Sequence, residues 1–223
     1  MEAIEWIASN FYREEDNWSS NFTPFETLIA TILSQATADR NSHAAFRILK
    51  ERFTITPKEL SRVPVQRIEE AIRIGGLYHQ KASKIKATSK ALIGKNLTEL
   101  MGSQDGREQL LDLPGVGRKT ADVLLCFKGQ WDVVPIDTHI KRISSRVWGF
   151  IGDYDEVQQG LHRLIEPEKR RGTHIAMIRF GREICRARAP LCESCDINRE
   201  CLYYSSNKGL TRKEKERKRS PAS

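Results

Sequence analysis

The chain has 223 residues, 39% of them hydrophobic, and a formal net charge of +8. That length allows one domain or two small ones, and the apolar share excludes general disorder. No apolar run approaches the ~20 residues that span a bilayer, and the acidic start MEAIEWIASNFYREEDNW lacks a signal-peptide layout, so an intracellular protein away from membranes is expected.

Helical periodicity governs the chain from its beginning. Ile4, Ile7, Ala8 and Phe11 fall on one helix face. Pro24 suits a helix's first turn, and Phe25, Leu28, Ile29, Ile32 and Leu33 form the stripe behind it. Phe46, Leu49 and Phe53 make a third stripe, and Val65, Ile68 and Ile72 a fourth. Leu110, Leu111 and Leu113 close a helix, and Ala121, Leu124 and Leu125 line the inner side of the next. Val157, Leu161 and Leu164 follow, then Ile175, Ile178 and Arg182. Pro57, Pro64, Gly75-Gly76, Pro114-Gly115, Gly129, Pro135, Gly152 and Gly172 punctuate these runs. No set of alternating strands stands beside them, so the pattern predicts an all-α protein of roughly ten short helices.

The C-terminal end differs. Residues 208–223 carry seven Lys/Arg against two Glu and almost no apolar residue, so +5 of the net charge sits in an expected solvated, disordered tail. A basic balance favours polyanions, either nucleic acid or an anionic membrane surface. With only +3 left for the remaining chain, composition alone does not single out nucleic acid.

The segment GREQLLDLPGVGRKTADVLLCF is the most informative. Pro114-Gly115-Val116-Gly117 makes a tight turn with Val116 facing the core, and Arg118-Lys119-Thr120-Ala121 opens a second helix. Glycine permits backbone angles and close approaches that a Cβ blocks. The free N–H groups at the helix start can then face an anion. A duplex phosphate is a suitable one, in a contact that carries no sequence information. From LPGVG alone, an ordinary helix–turn–helix packing corner fits equally well.

Of five cysteines, Cys126 sits among Leu124, Leu125 and Phe127 and reads as core. Cys185, Cys192, Cys195 and Cys201 follow C-x6-C-x2-C-x5-C, a spacing that can close around one metal centre. Spacing does not separate structural zinc from an iron–sulfur cluster. Disulfides are the alternative, disfavoured in an intracellular setting.

Together these segments resemble the endonuclease III family. LPGVGRKTA is similar to its helix-hairpin-helix, VPIDTHIKR to its catalytic Asp segment, and the four-cysteine pattern to its [4Fe-4S] site; the resemblance runs from about Pro24 to Cys201. It implies a bifunctional DNA glycosylase and abasic-site lyase in base excision repair, removing oxidised pyrimidines such as thymine glycol. It also implies two helical lobes, 22–133 and 1–21 plus 134–207, followed by the basic tail 208–223. Double-stranded DNA with a damaged base or abasic site would lie between the lobes, bound by a monomer.

By the same resemblance Lys119 is the nucleophile and Asp137 its acidic partner. The chemistry is consistent. An amine attacks the sugar C1′ only when neutral, and at pH 7 one free lysine in ~2,500 is. A helix start beside Arg118 pushes that balance towards the neutral form. The bland alternative is a solvated surface lysine. Asp137 reads as a helix N-cap, and equally as a carboxylate that stabilises an oxocarbenium-like sugar and moves protons. His139 reads as structural. Relatives that only cleave the glycosidic bond tend to lack the lysine, so Lys119 argues for the bifunctional branch. Asp122 stands where many relatives have Asn, an extra acid near the hairpin that opposes DNA.

A base inside the duplex must be extruded before chemistry. In IRIGGLYHQKA, Leu77 matches the family's wedge, with a buried core leucine as the alternative. In LSQATADR, Gln35 matches the polar side chain offered to the vacated space, with a helix cap as the alternative. His79, Lys81 and Lys84 are expected to flank the DNA backbone, as are Gly115, Gly117, Arg118 and Thr120 of the hairpin, or else to be solvated. Arg142, with Lys141 and Arg146, reads as phosphate-contacting or solvated. Arg186 and Arg188, in the six-residue cysteine loop, are placed to meet phosphates. Two rivals remain: a relative with mismatch or other damaged-base specificity, and a non-catalytic DNA-binding protein whose cluster is a staple or redox sensor. A binding protein has no need for both Lys119 and Asp137.

Overall fold

Apolar stripes cut short by prolines and glycines can only make short helices, and the computed structural model contains thirteen α-helices and no strand among the described residues, 2–17, 19–129 and 131–207. The expected all-α fold is borne out. The chain divides into two compact units: Asn17–Pro135, and the described residues of Met1–Asp16 with Ile136–Ser223. The basic tail expected at 208–223 lies outside the described residues. No helix among the described residues is long and apolar enough to cross a membrane.

The unit 17–135 holds α2 to α9, after α1 (Ala3–Phe11) of the other unit. In α2 (Pro24–Ser34) Thr23 and Glu26 form a capping box around Pro24, so the stripe starts where the sequence says it should. It is the central helix, with Leu28, Ile29, Ile32 and Leu33 wholly buried. Around it lie α3 (Asp39–Arg52), α4 (Pro57–Arg62), α5 (Val65–Ile72), α6 (Tyr78–Ala91), α7 (Leu97–Gly102), α8 (Gly106–Leu111) and α9 (Arg118–Lys128). Phe53, placed on the third stripe, lies one residue past α3 as its extended C-cap. Burying one face of so many short helices in a single cluster is what makes them stable, since isolated helices of this length are marginal.

The other unit packs α1 against α12 (Arg170–Glu183), with Phe11 meeting Phe180 edge to face at 5.1 Å. α10 (Thr138–Trp148) also packs on α12, and α11 (Tyr154–Leu164) starts at a capping box made by Asp153 and Glu156. On α12 the buried residues include Ile175, Met177 and Phe180, while Ile178 is half-buried and Arg182 exposed. The stripe read from the sequence is therefore rotated. Contacts with both α1 and α10 widen the buried arc beyond a single i, i+3, i+7 line. Two 3-10 turns, Cys192–Ser194 and Asn198–Glu200, lead to α13 (Leu202–Asn207). Glu200 accepts the Ala3 N–H at 3.0 Å, tying the start of α1 to this segment.

Candidate functional site

The turn between α8 and α9 has the form its glycines require. Gly115 has φ +82°, and a Cβ there would come within 2.9 Å of the Lys84 Cβ, so both conformation and space demand glycine. Leu113 and Val116 are buried on either side of it, which pins the turn to the core. Gly117 is the N-cap of α9, so the residue at the cap offers no side chain to the first-turn N–H groups. Arg118 is exposed and Lys119 half-buried in that first turn. The Thr120 side chain is not placed for a DNA contact: the residue is 3% exposed, and its hydroxyl lies 3.3 Å from the Gln35 Nε2. Its helix position turns it inward, a geometry that the motif alone does not reveal.

Asp122 also corrects the sequence reading. Its side chain is wholly buried and forms a bidentate pair with Arg107, at 2.8 and 3.3 Å. The acid is neutralised inside the unit and does not oppose a polyanion.

Gln35, the C-cap of α2, is half-buried. Its amide donates to Gly115 O at 3.5 Å, and its carbonyl accepts from Lys84 Nζ at 3.0 Å. Leu77 stands at the N-cap of α6 in the left-handed region (φ +49°), directly after Gly76 at φ +61°, and is 52% exposed. The core-leucine alternative is therefore excluded. A large apolar side chain is held out of the core on a strained backbone, a conformation that marks functional loops. His79 is exposed and faces Glu69 at 3.0 Å. Lys81 departs from expectation: it is 2% exposed, and its ammonium donates to Leu33 O at 2.7 Å, to Gly75 O at 2.8 Å and to the Thr37 hydroxyl. A buried ammonium with three internal acceptors cannot flank a DNA backbone. Burial, helped by nearby Lys84, holds its pKa below the ordinary lysine value.

One face of α6 joins these parts. Lys81, Lys84 and Thr88 recur at helical spacing and reach, in turn, the Leu77 loop, Gln35, and the carbonyl of Pro114 in the hairpin turn. The structural roles of Thr37, Lys84 and Thr88 were missed from the sequence. The available signal was a row of polar residues along the inner side of a helix.

In the other unit, Asp137 is the N-cap of α10 and accepts the Ile140 N–H at 2.8 Å. Behind it, α10 is fastened to the cysteine segment by arginines expected to meet phosphates or solvent. Arg142 donates to Cys185 O at 3.0 Å and Gly181 O at 2.9 Å, and touches His139 Nδ1 at 3.0 Å. Arg146 donates to Arg186 O at 2.7 Å and Ala187 O at 3.1 Å, reaches Cys185 Sγ at 3.5 Å, and lies over the Tyr203 ring. Arg142 acts as a strut, with its Nε and one Nη2 donor on carbonyls of the chain. Burial keeps its pKa below the usual arginine value. Arg186 is exposed, its Nε bonded to Glu183 O at 2.9 Å.

Cys185, Cys192, Cys195 and Cys201 line one small cavity with no carboxylate among its walls. Burial pushes the Cys195 thiol up to about 11, and the other three cysteines add to the rise. Four soft sulfur donors around one cavity fit a thiolate-bound metal centre, whose positive charge would offset the cost of ionising Cys195.

Residues 29–167 match the family of HhH-GPD superfamily base excision DNA repair proteins. The endonuclease III of Thermotoga maritima is 36% identical over 216 residues, covering 96% of this chain and 100% of that protein. The Escherichia coli K12 endonuclease III is 35% identical over 190 residues, covering 85% and 87%. Among solved structures, a non-covalent endonuclease III–DNA complex superposes with TM-score 0.78 at 33% identity, over 92% of this chain and 94% of that one. A trapped covalent endonuclease III–DNA intermediate gives 0.76 at 32% identity, over 93% and 99%.

Proposed function

The chain belongs to the endonuclease III family of the HhH-GPD superfamily of base excision DNA repair proteins, and from that premise we propose that it is a bifunctional DNA glycosylase and abasic-site lyase acting on oxidised pyrimidines such as thymine glycol. The observation that carries the reading is Lys119, half-buried in the first turn of α9, after a glycine N-cap and behind a turn that Gly115 makes with a left-handed backbone. The likeness to a relative trapped covalently on DNA supports a covalent route.

In this mechanism Leu77 parts the base stack and Gln35 fills the space left by the extruded nucleotide. The Lys119 Nζ bonds to the sugar C1′ as the C1′–N bond breaks; the electron pair leaves with the base, which takes up a proton. Asp137, held by its cap bond to Ile140, stabilises the cationic sugar as the bond opens. Ring opening gives a Schiff base on Nζ. Loss of a C2′ proton then expels the 3′ phosphate by β-elimination and nicks the strand. Arg118 and the first-turn N–H groups of α9 hold the backbone phosphate. The four cysteines would hold a [4Fe-4S] cluster, which braces the segment joined to α10 by Arg142 and Arg146.

The test is reductive trapping. The protein is incubated with a duplex carrying one thymine glycol, borohydride is added, and a covalent adduct is sought beside Lys119→Gln. An adduct lost in the variant is the expected result. No adduct on thymine glycol but one on an abasic-site duplex would move the lesion assignment and keep the lyase. No adduct on either would overturn the bifunctional mechanism.

A further inference from the structure

Lys81 is the feature that this mechanism leaves unused. Its side chain is among the largest that the structure buries completely, yet it carries a charge, and no carboxylate is among its hydrogen-bond partners. Burying an ammonium among neutral groups is costly, and an apolar side chain would fill the same space. What the ammonium supplies is three N–H donors for three acceptors, and those acceptors belong to two loops.

Leu33 O lies at the end of α2, two residues before Gln35. Gly75 O lies two residues before Leu77. The Thr37 hydroxyl, which takes the remaining donor, sits 2.6 Å from Gly75 O and 3.1 Å from Gln35 O, so it belongs to both sides. Each loop also contains a side-chain-bearing residue in the left-handed region, Ala36 and Leu77, both at φ +49°. Such conformations persist only where the surroundings over-determine them. The Lys81 ammonium bonds both loops directly and also the Thr37 hydroxyl that bridges them.

We propose that Lys81 is a positioning residue that locks the Gln35 loop and the Leu77 loop into one pre-strained unit, so that wedge and gap-filler enter the duplex together. This rests on the reading of Leu77 and Gln35 given above. Binding energy spent on ordering two loops separately is then kept for opening the base stack. The ammonium acts at a distance from the reacting sugar and takes no part in bond making.

The test uses a duplex with 2-aminopurine opposite a tetrahydrofuran abasic analogue, whose fluorescence rises when the unpaired base is unstacked. The readout is the amplitude at saturating protein, which counts inserted complexes per bound protein and is not altered when a variant merely folds less well. It needs neither the lesion identity nor the Lys119 chemistry. Lys81→Met is expected to lower the ratio of inserted to withdrawn complexes about ten-fold, the size of effect that loss of a few buried hydrogen bonds produces. Leu77→Ala is expected to abolish the rise, and Lys81→Met to add nothing in that background, because coupled residues are not additive. Full amplitude in Lys81→Met would overturn the proposal while leaving the wedge standing. No rise with the unsubstituted protein, or an undiminished one with Leu77→Ala, would remove the wedge reading and the proposal with it. If Lys81→Met does not fold, Thr37→Val carries the same test: it keeps the ammonium, deletes the hydroxyl that both loops share, and must lower the amplitude.

Discussion

An acid beside a hairpin that faces DNA looks like a liability, and Asp122 would be one on the surface. Burial and the bidentate Arg107 pair turn it into a structural tie between α8 and α9. Asp137 is the contrasting case, a half-buried carboxylate with one oxygen on the Ile140 N–H. The cap it makes and the charge role proposed for it can be separated. Asn caps helices as well as Asp does, so Asp137→Asn should leave the melting temperature nearly unchanged. Base release in a single turnover should fall about 10²-fold, because the negative charge near the developing cation is gone. Asp137→Ala should show the same rate loss and also cost about 1 kcal/mol of stability through the lost cap. Equal rates for the parent and Asp137→Asn would reduce Asp137 to a cap.

Among the elements, α6 organises the unit 17–135. Its N-cap is the exposed Leu77, its inner face reaches the loop after α2, and its middle supports the hairpin turn through Lys84 and Thr88. The backbone at its start places a leucine in the left-handed region, which gives an unusual expectation for Leu77→Gly if that leucine is the proposed wedge. A left-handed backbone costs a leucine about 1–2 kcal/mol, against the ~0.5–1 kcal/mol of extra entropy that glycine loses on folding. Because Leu77 is 52% exposed, little burial is forfeited. Thermal unfolding should therefore be unchanged or slightly raised, while base extrusion is lost. A variant that lost stability in proportion to activity would show that Leu77 serves packing instead.

For the molecule as a whole, charge and the cysteine segment set two expectations. With a net charge of +8, DNA affinity should depend steeply on salt. If about six phosphates are neutralised, affinity falls about 10³-fold between about 50 and 200 mM salt. The purified protein should contain about four iron and four sulfide per chain if the cysteines hold a cubane cluster. Cys192→Ala should lose that iron and make the segment around Cys185–Cys201 sensitive to protease, since the metal folds a stretch with only short 3-10 turns of its own. Zinc in place of iron would keep the brace and refute the cluster.

Local rules legible along the chain determined much of this protein without help from tertiary contacts. The apolar period gave the helices, Pro24 and Thr23 gave the start of α2, and Gly115 announced a turn with a left-handed backbone. The four-cysteine spacing pointed to four sulfurs around one cavity, because residues close in sequence can meet whatever the rest of the chain does. Polar residues behaved differently. Lys81, Thr120, Asp122 and Arg142 look alike in sequence to solvated or DNA-facing residues, yet three are buried and the fourth braces a loop from the inside. Their partners are Leu33, Gln35, Arg107 and Cys185, which lie from 15 to 85 residues away along the chain. Whether a charge faces water or three carbonyls depends on which distant segments pack over it. That is a property of the assembled core, and only the tertiary structure decided it.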